Sequence, residues 1–89
     1  MSASARYEVR IKASAEREMD SMPKEAYRRL SKAILGLELT PRPRGCRKLG
    51  GREEYRLRVG VHRILYSIHD TRRVVEVLAV RHRKDAYRR

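Results

Sequence analysis

The sequence predicts a small α+β domain in which two helices pack on one face of a mainly antiparallel sheet. Three observations carry that prediction. Residues 55–66, YRLRVGVHRILY, alternate apolar and polar side chains on both sides of Gly60-Val61, as the two strands of a hairpin do. Residues 13–40 carry apolar side chains at helical spacing, interrupted by Pro23. Residues 74–80, VVEVLAV, are nearly all apolar, the pattern of a strand covered on both faces or central in its sheet. At 89 residues the chain makes one domain, 1–89, with one modest core. The expected order is strand, helix, helix, then three antiparallel strands.

Each element has its own justification. Tyr7, Val9 and Ile11 alternate with Glu8, Arg10 and Lys12, which gives a first strand with one buried face. Ser14 suits the cap of a short helix in which Ala15, Met19 and Met22 fall at i, i+4 and i+7. Pro23 suits the first turn of a second helix. Its stripe is Ala26, Leu30, Ala33, Ile34 and Leu37, with Arg28, Arg29 and Lys32 pointing away. Thr40-Pro41 is the expected stop, because the residue before proline disfavours the α region. Residues 41–52, PRPRGCRKLGGR, read as a basic loop. In the hairpin, glycine at the first turn position suits a type II′ turn. That turn sets Val59 opposite His62, Arg58 opposite Arg63, Leu57 opposite Ile64 and Tyr55 opposite Tyr66. A polar turn at Asp70-Thr71-Arg72 leads to the last strand, and RHRKDAYRR closes the chain.

Charge narrows the function. Lys and Arg number 23 against 11 Asp and Glu, a formal net charge of +12. Solubility needs far less, so nucleic acid, an acidic protein or a membrane surface is the expected partner. No apolar run approaches the ~20 residues that span a bilayer. The N-terminus lacks the apolar stretch of a signal peptide, and the single cysteine, Cys46, has no internal disulfide partner. The expected setting is cytoplasmic. Three histidines and one cysteine make no metal-ligand spacing, so no metal or cofactor is expected.

The hairpin localises that charge. Tyr55, Leu57, Ile64 and Tyr66 share one face, and Arg56, Arg58 and Arg63 crowd the other. Like charges directly opposite each other destabilise a sheet. Arginines placed there are expected to be held for an anion; the alternative is a solvated outer face in a very basic protein. Arg42, Arg44, Arg47 and Lys48 are ordinary solvated charge or, in a nucleic-acid binder, residues that track phosphates without sequence choice.

These residues together resemble the RelE/ParE superfamily of bacterial toxin–antitoxin toxins. Lys48-Leu49 with Gly51 is similar to the family's K-L-x-G approach to a strand. Residues 55–66 are similar to its Y-R-x-R-x-G-x-Y-R-x-x-Y hairpin, and residues 80–87 to its closing V-G-H-R-x-x-x-Y. The resemblance covers nearly the whole chain and implies a RelE-like fold. It implies a toxin with a cognate acidic antitoxin as partner. The closing His-Arg…Tyr element is typical of the RelE branch, whose members cleave mRNA on the ribosome. The ParE branch, which poisons DNA gyrase, is the alternative, and a non-catalytic RNA-binding domain is another. The chain departs from the pattern at Arg81, where glycine is common, and at His62, where an aromatic residue is usual.

The RelE reading implies metal-independent attack of the substrate's own 2′-hydroxyl on the adjacent phosphorus. Its transition state carries extra negative charge, so fixed guanidinium groups stabilise it more than the ground state. The residues implied are Arg56, Arg58, Arg63, Arg81 and Arg83. Arginine stays protonated and cannot be the base. Tyr87 and His82 remain as acid–base candidates. Positive neighbours favour a phenolate at Tyr87, and its ring could instead stack on a base. If the last strand runs straight, His82 has the opposite parity to Arg81 and Arg83 and turns away from them.

Overall fold

A computed structural model describes residues 6–50 and 53–82. The chain runs β1 (Glu8–Ile11), α1 (Ala13–Asp20), α2 (Lys24–Gly36), β2 (Cys46–Lys48), β3 (Glu54–Val59), β4 (His62–His69) and β5 (Val74–His82). The five strands form one sheet in the order β1-β5-β4-β3-β2. β1 runs parallel to β5, and every other pair is antiparallel. Both helices cover the same face. Ala15 and Met19 of α1, and Leu30 and Ile34 of α2, are buried with Leu57, Ile64, Tyr66, Ile68, Val75 and Val77 of the sheet. This is the α+β arrangement the sequence predicts, two helices on one face of a mainly antiparallel sheet.

The hairpin has the register expected of a two-residue turn, from Val59 opposite His62 to Tyr55 opposite Tyr66. Gly60 has φ +61 and Val61 is not among the residues of positive φ. A type I′ turn needs positive φ at both central positions, so the geometry fits type II′.

Four details correct the sequence reading. α1 begins at Ala13 with Lys12 at its cap and no side-chain cap bond, so Ser14 lies inside the first turn. The Lys12 N–H donates to the Val77 carbonyl, so the chain leaves the β1–β5 ladder directly into the helix. α2 has Pro23 at its cap and stops at Gly36, short of Thr40-Pro41. Glycine is a poor helix former, and tight turns follow, with the Leu37 N–H on the Ile34 carbonyl and the Glu38 N–H on the Leu35 carbonyl. The basic loop contains a strand, β2, whose three residues pair with β3. Lastly, β5 is bulged: Leu65 pairs with Ala79 but Tyr66 with Val77, which leaves Leu78 as the extra residue. The bulge shifts the inward parity from Val75 and Val77 to Val80. That shift, with neighbours on both edges, explains why VVEVLAV shows no clean alternation.

Candidate nucleic-acid interface

The face opposite the helices carries the arginines in two cross-strand rows. Register places Arg47, Arg56, Leu65 and Ala79 side by side across β2, β3, β4 and β5. The next row toward the hairpin turn is Arg58, Arg63 and Arg81. Arg58 and Arg81 are exposed, Arg56 is half-buried, and Arg63 is only 4% exposed. A cleft of about 420 Å³ opens between Gly45, Arg47, Arg56 and Arg58. Guanidinium groups at neighbouring register positions offer several planar donors to one anion.

Arg81 is steered by a residue whose role the sequence did not signal. Glu18 of α1 accepts the Val80 N–H at 2.9 Å with one carboxylate oxygen and meets Arg81 Nε at 3.4 Å with the other. β1 pairs with β5 only as far as Val77, so Val80 lies on an open edge and Glu18 supplies the missing acceptor. The sequence shows Glu18 only as one charge beside the apolar Met19; its use depends on a contact 62 residues away.

The loop residues divide. Arg47 belongs with Arg56 on the arginine face. Arg44 borders a groove of about 480 Å³ shared with Ala33, Gly36, Leu57 and Arg58. Lys48 stands opposite Tyr55 in the register and reaches Glu53 at 3.7 Å. Arg42 lies at the far end of the sheet, by the β4–β5 turn. Its guanidinium donates to both oxygens of Asp70, at 3.3 and 2.9 Å, and through Nε to the Tyr55 hydroxyl at 3.1 Å. The Tyr7 hydroxyl donates to the same Asp70 at 2.6 Å. Arg42 is therefore a clamp that fixes the loop to the sheet end, and the structure does not bring it to the arginine rows. Nearby, the Tyr66 hydroxyl donates to the Pro41 carbonyl at 2.8 Å and completes the attachment.

The clamp has a pH signature. The Arg42 guanidinium, then the Tyr7 hydroxyl, hold the Asp70 carboxyl below its usual range. A carboxylate of depressed pKa contributes stability that is full above the unfolded value near ~3.9 and is lost as pH falls through the folded value. The thermal stability of the wild type should therefore fall as pH drops below about 4. Asp70→Asn should have a lower midpoint at neutral pH and a shallower fall over that range, read by scanning calorimetry. Equal slopes for the two proteins would remove Asp70 from the acid response.

His82 pairs with His62 in the register, and their rings meet edge to face with centroids 5.5 Å apart. Ile64 and Val80, two residues along each strand, lie in the core, so both histidines are on the helix side, away from the arginine rows. Burial first, and then His82 and Arg29, lower the pKa of His62. Arg83 and Tyr87 lie outside the described residues. Among the described residues no three His, Cys, Asp or Glu side chains gather as a metal site would require, and no helix is long and apolar enough to cross a membrane.

The family profile of the ParE toxin of type II toxin-antitoxin system, parDE, matches residues 9–87. No match is found among curated protein sequences. Among solved structures, the chain is similar to one in the archaeal RelE–RelB complex from Pyrococcus horikoshii OT3, with 32% identity and a TM-score of 0.79 over 86% of this chain and 94% of that one. The toxin–antitoxin complex RelBE2 from Mycobacterium tuberculosis aligns at 26% identity and a TM-score of 0.78, over 86% of this chain and 98% of that one. The intact E. coli RelBE toxin–antitoxin complex aligns at 20% identity and a TM-score of 0.75 over 85% and 95%, a likeness of fold.

Proposed function

Since the chain belongs to the RelE/ParE superfamily of type II toxin–antitoxin toxins, we propose that it is a toxin of the RNA-cleaving kind, an endoribonuclease that cuts mRNA on the ribosome. The observation that carries this reading is the pair of arginine rows on the face the helices leave open. Guanidinium groups at neighbouring positions of one sheet face, as at Arg56, Arg58 and Arg63, offer several planar donors to the oxygens of one phosphate. A phosphodiester passing into a doubly charged phosphorane-like state is stabilised by such an array.

The chemistry needs no group beyond the chain and the RNA. A base takes the 2′-hydroxyl proton, the 2′-oxygen attacks phosphorus, and the 5′-oxygen leaves as it is protonated. The products are a 2′,3′-cyclic phosphate and a 5′-hydroxyl. In this proposal Arg56, Arg58, Arg63 and Arg83 hold the phosphoryl oxygens, with Arg81 beside them, and Arg47 guides the strand across the cleft. Tyr87 is the base, because the closing element of the family pattern supplies it there.

An antitoxin partner accords with the RelE–RelB complexes among the structural relatives. A net charge of +12 suits an acidic antitoxin segment that neutralises part of the basic surface. The family profile itself is that of ParE, which favours gyrase poisoning as the second reading. One experiment separates the two. Inducing the chain without its antitoxin should arrest translation and leave cuts within translated frames, mapped by primer extension on a reporter mRNA. Intact mRNA with inhibited gyrase supercoiling would replace this reading by the second.

A further inference from the structure

The hairpin tip is charged on its helix side as well. The row beyond Arg58, Arg63 and Arg81 is Val59, His62 and His82, and by strand alternation its side chains face the helices. The imidazoles of His62 and His82 are in edge-to-face contact. From α2 the exposed Arg29 reaches the turn, where its Nη1 lies 3.3 Å from the place a Cβ would occupy on Gly60. Among the described residues no carboxylate pairs with Arg29 or His62. We infer that Arg29, His62 and His82 form a second anion subsite, which takes a backbone phosphate of an RNA strand leaving the arginine face over the Gly60-Val61 turn.

The inference rests on the RNA-cleaving reading and deepens it. Three features favour it. The cluster and the arginine row Arg58, Arg63, Arg81 occupy neighbouring rows of the same strands, on opposite faces. A strand that follows the arginines toward the tip meets Arg29 and His62 next. The turn between them begins with a residue that has no side chain, so a polymer backbone can round it closely. The chemistry also suits a phosphate. A guanidinium donates through fixed planar N–H groups, and an imidazole takes up a proton when an anion arrives. Among the described residues, burial first, then repulsion from His82 of β5 and Arg29 of α2, opposes the protonated form of His62 in the free protein. A bound phosphate offsets that repulsion, so binding is coupled to protonation of His62. An acidic segment of a protein partner could use the same donors. Continuity with the arginine rows favours RNA.

The test measures affinity for a short single-stranded 2′-O-methyl RNA, which cannot be cut at its blocked 2′ position, by fluorescence anisotropy. Wild type should bind more tightly at about pH 5.5 than at about pH 7.5, by about threefold or more. His62→Gln should remove most of that pH dependence. Arg29→Ala should weaken binding several-fold and lower the salt slope by about one phosphate contact. Arg56→Ala, on the arginine face, serves as the comparison, and thermal melting confirms that each variant is folded. If His62→Gln and Arg29→Ala match wild type at both pH values while Arg56→Ala is weak, the subsite is refuted and the RNA reading stands. If wild type itself does not bind the RNA, both are refuted. If the two variants lose affinity only for an acidic antitoxin peptide, the cluster belongs to a protein interface and the inference is overturned.

Discussion

Replacing Arg63 by alanine is expected to lower single-turnover cleavage on programmed ribosomes by about 10²–10³-fold, the usual cost of removing one fixed transition-state donor. Arg63 is chosen because of its place. It is the middle residue of the row Arg58, Arg63, Arg81, on β4, with a paired strand on either side. A side chain only 4% exposed and carried by a central strand has little freedom, so its donors are already aimed when the charge develops. Ground-state binding should fall much less than the rate, because several other arginines still attract the strand. Stability should change little in one direction or the other. The alanine loses side-chain packing and the polar interaction that Arg63 makes, and against that it relieves the repulsion between like charges opposite each other. Arg63→Lys should recover only part of the activity, since an ammonium keeps the charge and loses the planar fork. The checks are the cleavage rate, RNA affinity and thermal midpoint of the same three proteins. A folded Arg63→Ala protein that cleaves at the wild-type rate would take Arg63 out of the chemistry.

The legible parts of the fold were those fixed by local rules. Gly60-Val61 leaves only one register for a two-residue turn, and that register alone put Arg56, Arg58 and Arg63 on one face with Tyr55, Leu57, Ile64 and Tyr66 on the other. Leu30, Ile34 and Leu37 were readable as a buried stripe because a helix repeats its faces on a short period. What escaped depends on partners distant in the chain. β2 has three residues and no alternation long enough to register, so only its pairing with Leu57, Arg56 and Tyr55 makes it a strand. The bulge in β5 exists through the mismatch between Leu65–Ala79 and Tyr66–Val77, which no property of VVEVLAV announces. Arg42 looks in sequence like the other basic residues of its loop. Its engagement with Asp70 is a relation across 28 residues, and it turns an expected phosphate contact into a clamp. Arg29 shows the reverse: the helix period turns it away from the buried stripe, and only the fold brings it to the hairpin turn.

The same distinction bears on the acid–base group, where Tyr87→Phe is expected to cost far more than His82→Gln. The His82 ring lies against His62 on the helix side of the sheet, whereas the arginine rows are on the other. A general base must come within hydrogen-bond reach of the proton it removes. For His82 to serve a phosphate held by Arg56, Arg58 and Arg63, the end of β5 would have to twist out of its pairing with β4. Tyr87 lies five residues further on, and its role rests on the family's closing element. Positive charge around a phenol favours the phenolate, so an arginine-rich site suits tyrosine as a base. Phenylalanine keeps the ring and removes the ionisable hydroxyl. Loss of a positioned acid–base group typically costs about 10²–10⁴ in rate, and that is the effect expected of Tyr87→Phe on programmed ribosomes. His82→Gln should keep most of the cleavage rate while altering the hairpin-tip binding measured at low pH. Tyr87→Ala distinguishes a base from a stacking platform. If the ring only stacks, phenylalanine is nearly silent and alanine is severe. Retained cleavage in Tyr87→Phe together with its loss in His82→Gln would reverse the assignment and require the end of β5 to rearrange on the ribosome.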